Sequence, residues 1–209
     1  MVDQDLVRDL LNDPPKLHIW GGTPQVGGMN KQIGNRIIEL MGDLESPAVM
    51  ETGAGVSTML FLLLGARPMT TIAPDTALRD RLMIAAKERS VDTTPLRFIA
   101  EHSEDALPRL AAAGEQIDLA LIDGRHGWPT VFVDFCYLHM MLRAGGIMLV
   151  DDIQLHSCGQ LFLFLRAQHD EYELRAIDDK QATFRKLTDG RYLPDWRQAP
   201  FIESNSFVK

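Results

Sequence analysis

Met50-Glu51-Thr52-Gly53-Ala54-Gly55-Val56-Ser57-Thr58 is the stretch whose reading decides the fold. The short apolar run Ala48 to Met50 leads into it as a strand, and Thr58 to Leu64 leaves it as a helix that Gly65 ends. Glycines permit a tight turn and let a ligand approach the backbone with no Cβ in the way. A phosphate-cradling loop needs Gly-Lys-Ser/Thr here, and that lysine is absent. A dinucleotide fingerprint needs a third glycine at position 58, where Thr58 stands. The carboxylate of Glu51, just ahead of the turn, suits a ligand that carries positive charge.

Outward from this corner the chain alternates. Met69 to Ala73 reads as a second strand and Thr76 to Arg89 as a helix; Leu96 to Ala100 is a third strand, followed by a helix to about Ala112 that Ser103 can cap. Ile117 to Ile122 is nearly all apolar, as a strand buried on both faces should be. Pro129 suits the first turn of the next helix, which carries Val131, Phe132, Phe135, Leu138 and Leu142 inward. Gly146 to Val150 is a fifth strand, with a helix near Cys158 to Gln168 behind it. Tyr172 to Ile177 and Thr183 to Leu187, separated by Asp178-Asp179-Lys180, read as an antiparallel pair at the sheet edge. The expectation is an α/β fold: a doubly wound, mostly parallel, seven-stranded Rossmann-like sheet with an antiparallel C-terminal edge. Ligands of such sheets bind at the carboxyl ends of the strands.

Those ends carry the chemistry. The fourth strand finishes in Asp123-Gly124-Arg125-His126 and the fifth in Asp151-Asp152. Adjacent parallel strands bring these carboxylates together, where they repel unless protonated or neutralised by a cation. A hard divalent ion such as Mg²⁺ accepts oxygen ligands of this kind and would make a bound hydroxyl easier to deprotonate. His126 is the candidate general base, since an unperturbed imidazole titrates near neutrality. Asp152 can alternatively cap the following helix, and His156 can also line the site.

The 209 residues suit one domain, with residues 1–34 as an N-terminal helix and lid-like loop and 188–209 as a C-terminal tail. The Gly21 to Gly34 loop, with six glycines or prolines, has the length of a functional lid. A net charge of −8, with 21 scattered Lys and Arg, argues against a nucleic-acid substrate. The acidic N-terminus is unlike a signal peptide, and the most apolar run, Met59 to Ala66, is too short to span a bilayer. Two thiols, Cys136 and Cys158, fit no metal or redox spacing, so the expected setting is cytoplasmic, away from membranes. The apolar tail (Tyr192, Leu193, Trp196, Phe201, Ile202, Phe207) can pack on the sheet or form a contact with a second copy.

Taken together, Met50 to Thr58, Asp118 to His126 and Gly145 to Ile153 resemble the class I S-adenosylmethionine-dependent methyltransferases. The similarity is to small-molecule O-methyltransferases with an Asp-Gly-x-His segment, such as the macrolide sugar O-methyltransferases, and runs from about Gly27 to Leu187. It implies that Glu51, Gly53 and Gly55 contact the cofactor, with Ser57 and Asp123 beside them. It implies a Mg²⁺ site from Asp123, Asp151 and Asp152, His126 as the base, and a small hydroxylated acceptor. His102-Ser103 is placed to meet the adenine. One departure stands out: Ala73 occupies the end of the second strand, where the family carries an acidic residue for the ribose hydroxyls. Asp75, two residues on, can serve instead. A non-catalytic S-adenosylmethionine-binding module, or a nicotinamide-dependent oxidoreductase, would share the same fold.

Overall fold

A computed structural model describes residues 3–193 together with Asp195 and Pro200. The tail residues Trp196, Phe201, Ile202 and Phe207 lie outside the described residues. Helix α1 (Gln4–Asn12) is capped by Asp3, whose carboxylate accepts from the amides of Asp5 and Leu6. A short antiparallel hairpin follows, β1 (His18–Trp20) and β2 (Thr23–Gln25), turning at Gly21-Gly22, both at positive φ. Helix α2 (Lys31–Gly42) starts at an Asn30 cap. The expected Gly21 to Gly34 loop is therefore shorter than its composition implied. Its start belongs to a hairpin, and Gly34 is inside α2 with the Leu11 side chain packed where a Cβ would be.

The main sheet contains β3 (Val49–Thr52), β4 (Met69–Ile72), β5 (Leu96–Ile99), β6 (Ile117–Ile122), β7 (Leu142–Val150), β8 (Tyr172–Asp178) and β9 (Gln181–Lys186). Its order is β5-β4-β3-β6-β7-β9-β8, parallel through β7 and antiparallel for the last two strands. Helices α3 (Val56–Leu63), α4 (Thr76–Glu88), α5 (Ser103–Ala112), α6 (Thr130–Met141) and α7 (His156–Ala167) connect the strands. This is the expected doubly wound Rossmann-like sheet with its antiparallel edge.

The period of two in a strand explains how the sheet is covered on both sides. In β6, Leu119 and Leu121 join the apolar layer under α1 to α4, while Ala120 and Ile122 join the layer under α5 to α7. In β7, Leu149 goes one way and Met148 and Val150 the other. Some helix ends differ from expectation in the way local capping decides. Ser103 is the first residue of α5, behind His102, and Pro129 stands just ahead of α6.

Register fixes the functional edge. Ile72, Thr52, Ile122 and Val150 lie in one row across β4, β3, β6 and β7. The next residue of each strand, Ala73, Gly53, Asp123 and Asp151, opens the same rim. Because β9 returns antiparallel, its first residues lie beside the end of β7, with Val150 opposite Ala182. The β8–β9 turn is thereby carried to this rim as well. At the opposite end of β9, the buried Lys186 ammonium donates to the carbonyls of His139 and Leu142, each at 2.8 Å. Lys186→Ala leaves both carbonyls without that donor and should lower stability in urea unfolding by about 2 kcal/mol. Being remote from the rim, it should leave ligand affinity unchanged.

Candidate active site

A cavity of about 590 Å³ opens over the carboxyl ends of β3, β4 and β6. Its floor includes Gly53 and Ala54, and one wall is formed by Ala73, Pro74 and Asp75. His102 and Ser103 stand on the third strand's side, and Asp123, His126 and Asp152 on the other. The β1–β2 hairpin covers it with His18 and Trp20, two residues that the sequence reading left out of the site. Their rings lie 5.5 Å apart, and Trp20 remains 59% exposed, leaving an apolar surface at the mouth. Trp128 packs on Phe132 (5.2 Å between rings), and neither it nor His156 is part of the cavity wall.

The glycine turn works differently from its expected role as a simple approach route. Gly53 has φ +92, and an added Cβ would sit 2.2 Å from the carbonyl oxygen of Asp123. The glycine is therefore required by backbone packing between the ends of β3 and β6, as well as lining the cavity. Gly55 has extended backbone and opens the N-terminus of α3, with the His18 imidazole above it.

Glu51 corrects the sequence reading most clearly. The residue is 1% exposed, and its carboxylate lies beneath the turn, away from the cavity wall. Ser57 Oγ donates to it at 2.8 Å, Thr71 Oγ1 at 2.9 Å, and Thr58 Oγ1 as well. Thr58 Oγ1 also accepts the Gly55 amide (3.1 Å), so the residue in place of a third glycine ties the helix start to the acid. Ser57 is likewise spent on Glu51. Both residues shape the turn from below and stand outside the cavity wall.

Burial pushes the Glu51 carboxyl up to about 7 from the usual 4.5, against the opposing pull of the three hydroxyls. Between those values the folded chain holds a proton that the unfolded chain has lost. The resulting contribution to stability is present at acid pH and disappears as pH rises toward 7. Glu51→Gln does not titrate. The stability of the wild type relative to Glu51→Gln should therefore fall by up to about 3 kcal/mol between pH 4.5 and 8, read by urea unfolding.

Asp75 lines the cavity while capping α4: its carboxylate accepts the Leu78 amide (3.0 Å) and pairs with Arg81 Nη2 (3.3 Å). The Leu78 amide is the main cause of its lowered pKa, with burial opposing. It is ionised and already oriented, with Ala73 buried beside it.

The three aspartates come to one rim as expected, yet cations of the protein itself already answer them. Lys180, from the β8–β9 turn, places Nζ 3.2 Å from Asp151 Oδ2 and 2.5 Å from Asp152 Oδ1. His126 places Nδ1 3.2 Å from Asp152 Oδ2 and Nε2 3.4 Å from Asp123 Oδ1. The latter separation is an ion-pair contact, and Nε2 has no hydrogen-bond partner. Burial lowers the His126 pKa, but the contact with Asp123 and the charges of Asp123, Asp152 and Asp151 outweigh it, so the net shift is upward. Asp151, 3% exposed, is pushed up by burial first and then by Asp123. Asp152 has φ +54 and accepts from Lys180 and Gln154; α7 starts later, behind Leu155, so Asp152 does not cap it. Among the described residues no group of three His, Cys, Asp or Glu is arranged to hold a metal ion. As they stand, these residues do not fit the expected Mg²⁺.

Residues 50–153, about half the chain, match a family model described as a methyltransferase domain. That span begins at the glycine turn and ends just past Asp151-Asp152. The chain belongs to this methyltransferase family and is a class I S-adenosylmethionine-dependent methyltransferase. The fold is shared with the O-methyltransferase TomG of Streptomyces achromogenes, involved in tomaymycin synthesis and solved with S-adenosylmethionine. The two are 14% identical, with 89% of this chain and 91% of that one covered and a TM-score of 0.69. A candidate caffeoyl-CoA O-methyltransferase from Staphylococcus aureus is 16% identical over 77% of this chain and 86% of its own, with a TM-score of 0.63. TrmN from Thermus thermophilus is 15% identical, covering 75% of this chain and 49% of that one, with a TM-score of 0.53. No curated protein sequence matches significantly. No helix among the described residues is long and apolar enough to cross a membrane.

Proposed function

We propose that this methyltransferase acts on a hydroxyl of a small molecule, with His126 accepting the proton. The observation that carries this reading is the His126 imidazole held in the cavity wall between Asp123 and Asp152. In the proposed reaction a lone pair of the acceptor oxygen attacks the sulfonium methyl carbon. The bond from carbon to sulfur breaks, sulfur leaves as a neutral thioether, and the hydroxyl proton passes to His126. The flanking carboxylates stabilise the imidazolium that forms. The protein's larger contribution is to hold oxygen, methyl and sulfur in line.

The cofactor reading assigns the cavity floor at Gly53 to S-adenosylmethionine, with Asp75 for its ribose and His102 and Ser103 beside its adenine. A volume of about 590 Å³ that must hold the cofactor as well leaves room for a small acceptor. Trp20 offers that acceptor an apolar face. A net charge of −8 supports a small molecule over a nucleic acid.

Calorimetry should give a micromolar dissociation constant for S-adenosylmethionine, on the order of −8 kcal/mol. No heat and no thermal shift at millimolar cofactor would sink the reading. His126→Ala should lower kcat by roughly 10²- to 10⁴-fold across a panel of hydroxylated acceptors, with cofactor affinity nearly intact. Equal loss of both would make His126 structural. A base must be neutral to act, and the His126 pKa lies above the ordinary 6.5. The rate should therefore rise with pH through a midpoint above that value, and Asp152→Asn, which removes one of the raising charges, should move the midpoint down.

A further inference from the structure

We infer that Lys180 is the resident cation of this active site, taking at Asp151 and Asp152 the place of a divalent ion and presenting its ammonium to the acceptor oxygen. The inference deepens the methyl-transfer reading above and rests on it for the identity of the acceptor.

Four features place the ammonium there by construction. First, the antiparallel return of β9 puts the β8–β9 turn at the end of β7, and the Lys180 carbonyl accepts the Ile153 amide at 2.9 Å. Second, the turn is gripped from the N-terminal side. Arg36 Nε donates to Asp178 at 2.6 Å, and Asn30 Nδ2 donates to Asp179 at 2.7 Å. The two residues before Lys180 are thus tied to α2 and its cap. Third, Gly28 closes over the ammonium: a Cβ there would stand 2.6 Å from Nζ and 3.8 Å from Asp151 Oδ2. Fourth, Lys180 is only 20% exposed yet forms part of the cavity wall.

Charge explains why an ammonium suffices. Asp123, Asp151 and Asp152 together carry up to three negative charges, which Lys180 and a protonated His126 largely offset. A divalent ion added to Lys180 would have to displace it from both carboxylates, against the clamp on its turn. Removing the ammonium would leave the buried Asp151 carboxylate without its cation and Asp152 with His126 alone, a costly arrangement that a divalent ion can relieve. An ammonium has three donors. Two are used on Asp151 and Asp152, and the third is available to an oxygen in the cavity. A bound ion can take two substrate oxygens at fixed angles, whereas one N–H needs a single oxygen. The site therefore suits an acceptor with one hydroxyl at the reacting position, without a neighbouring oxygen to chelate.

The test is Mn²⁺ binding, followed by electron paramagnetic resonance, on the full chain freed of metal with a chelator. The wild type should show no site at millimolar Mn²⁺. Lys180→Ala should gain one, with affinity about tenfold or more above the wild type, because Asp151 and Asp152 then lose the ammonium that occupies them. Adding Asp152→Asn to Lys180→Ala should abolish the gained site. Methyl transfer by the wild type should be the same with chelator as with added Mg²⁺. A Mn²⁺ site in the wild type that Asp152→Asn abolishes would overturn the inference, as would a Lys180→Ala variant that folds and gains no site. If Lys180→Ala does not fold, Lys180→Ser and the wild-type measurement decide by the same outcomes. Metal binding is read without cofactor or acceptor, so failure here is distinct from failure of the methyl-transfer reading, which S-adenosylmethionine calorimetry reports.

Discussion

The active edge depends on one close backbone contact, the approach of the Asp123 carbonyl to Gly53. No other residue fits there, since the Cβ position lies 2.2 Å from that oxygen and φ is +92. The contact sets the ends of β3 and β6 against each other. It also aligns the floor on which the cofactor reading rests with the strand end that carries Asp123 and His126. The hydroxyls of Ser57, Thr58 and Thr71 then hold Glu51 beneath the turn and fix the start of α3 from below. A buried acid with three donors is a rigid support, and it leaves the upper surface of the turn free for a ligand.

Above this support the problem is charge. A parallel sheet gathers the residues that follow its strands, and after β6 and β7 those residues are aspartates. The chain answers them with its own cations: His126, three residues past Asp123 in the β6 loop, and Lys180 from the distant β8–β9 turn. Arg36 and Asn30 hold that turn in place from α2. The N-terminal segment thus acts twice, covering the cavity with the β1–β2 hairpin and bracing the turn that carries the lysine.

Much of the fold was legible in the residues because it rests on local signals. The nearly all-apolar run Ile117 to Ile122, the alternation of strands with helices and the glycine turn each depend on a few neighbouring residues, and each predicted its element. The hairpin at His18 to Gln25 was not legible. Its strands have three residues each, and Gly21, Gly22 and Pro24 look like loop composition in any window. His18 and Trp20 were missed with it, since nothing local indicates that a hairpin folds back over the sheet.

The sequence by itself determined which groups stand at the functional edge: Gly53, Asp123, His126, Asp151 and Asp152 follow strands whose ends must align in a parallel sheet. What those groups touch was decided only by the tertiary structure. Glu51 precedes the turn by two residues, yet packing turns its carboxylate toward three hydroxyls and away from the cavity. The three aspartates read as a cation site, and the cation that meets two of them, Asp151 and Asp152, is a lysine nearly thirty residues further on. The reason is topological. An antiparallel return strand brings its own beginning to the end of its neighbour, and that juxtaposition follows from strand order, which no local pattern of residues encodes.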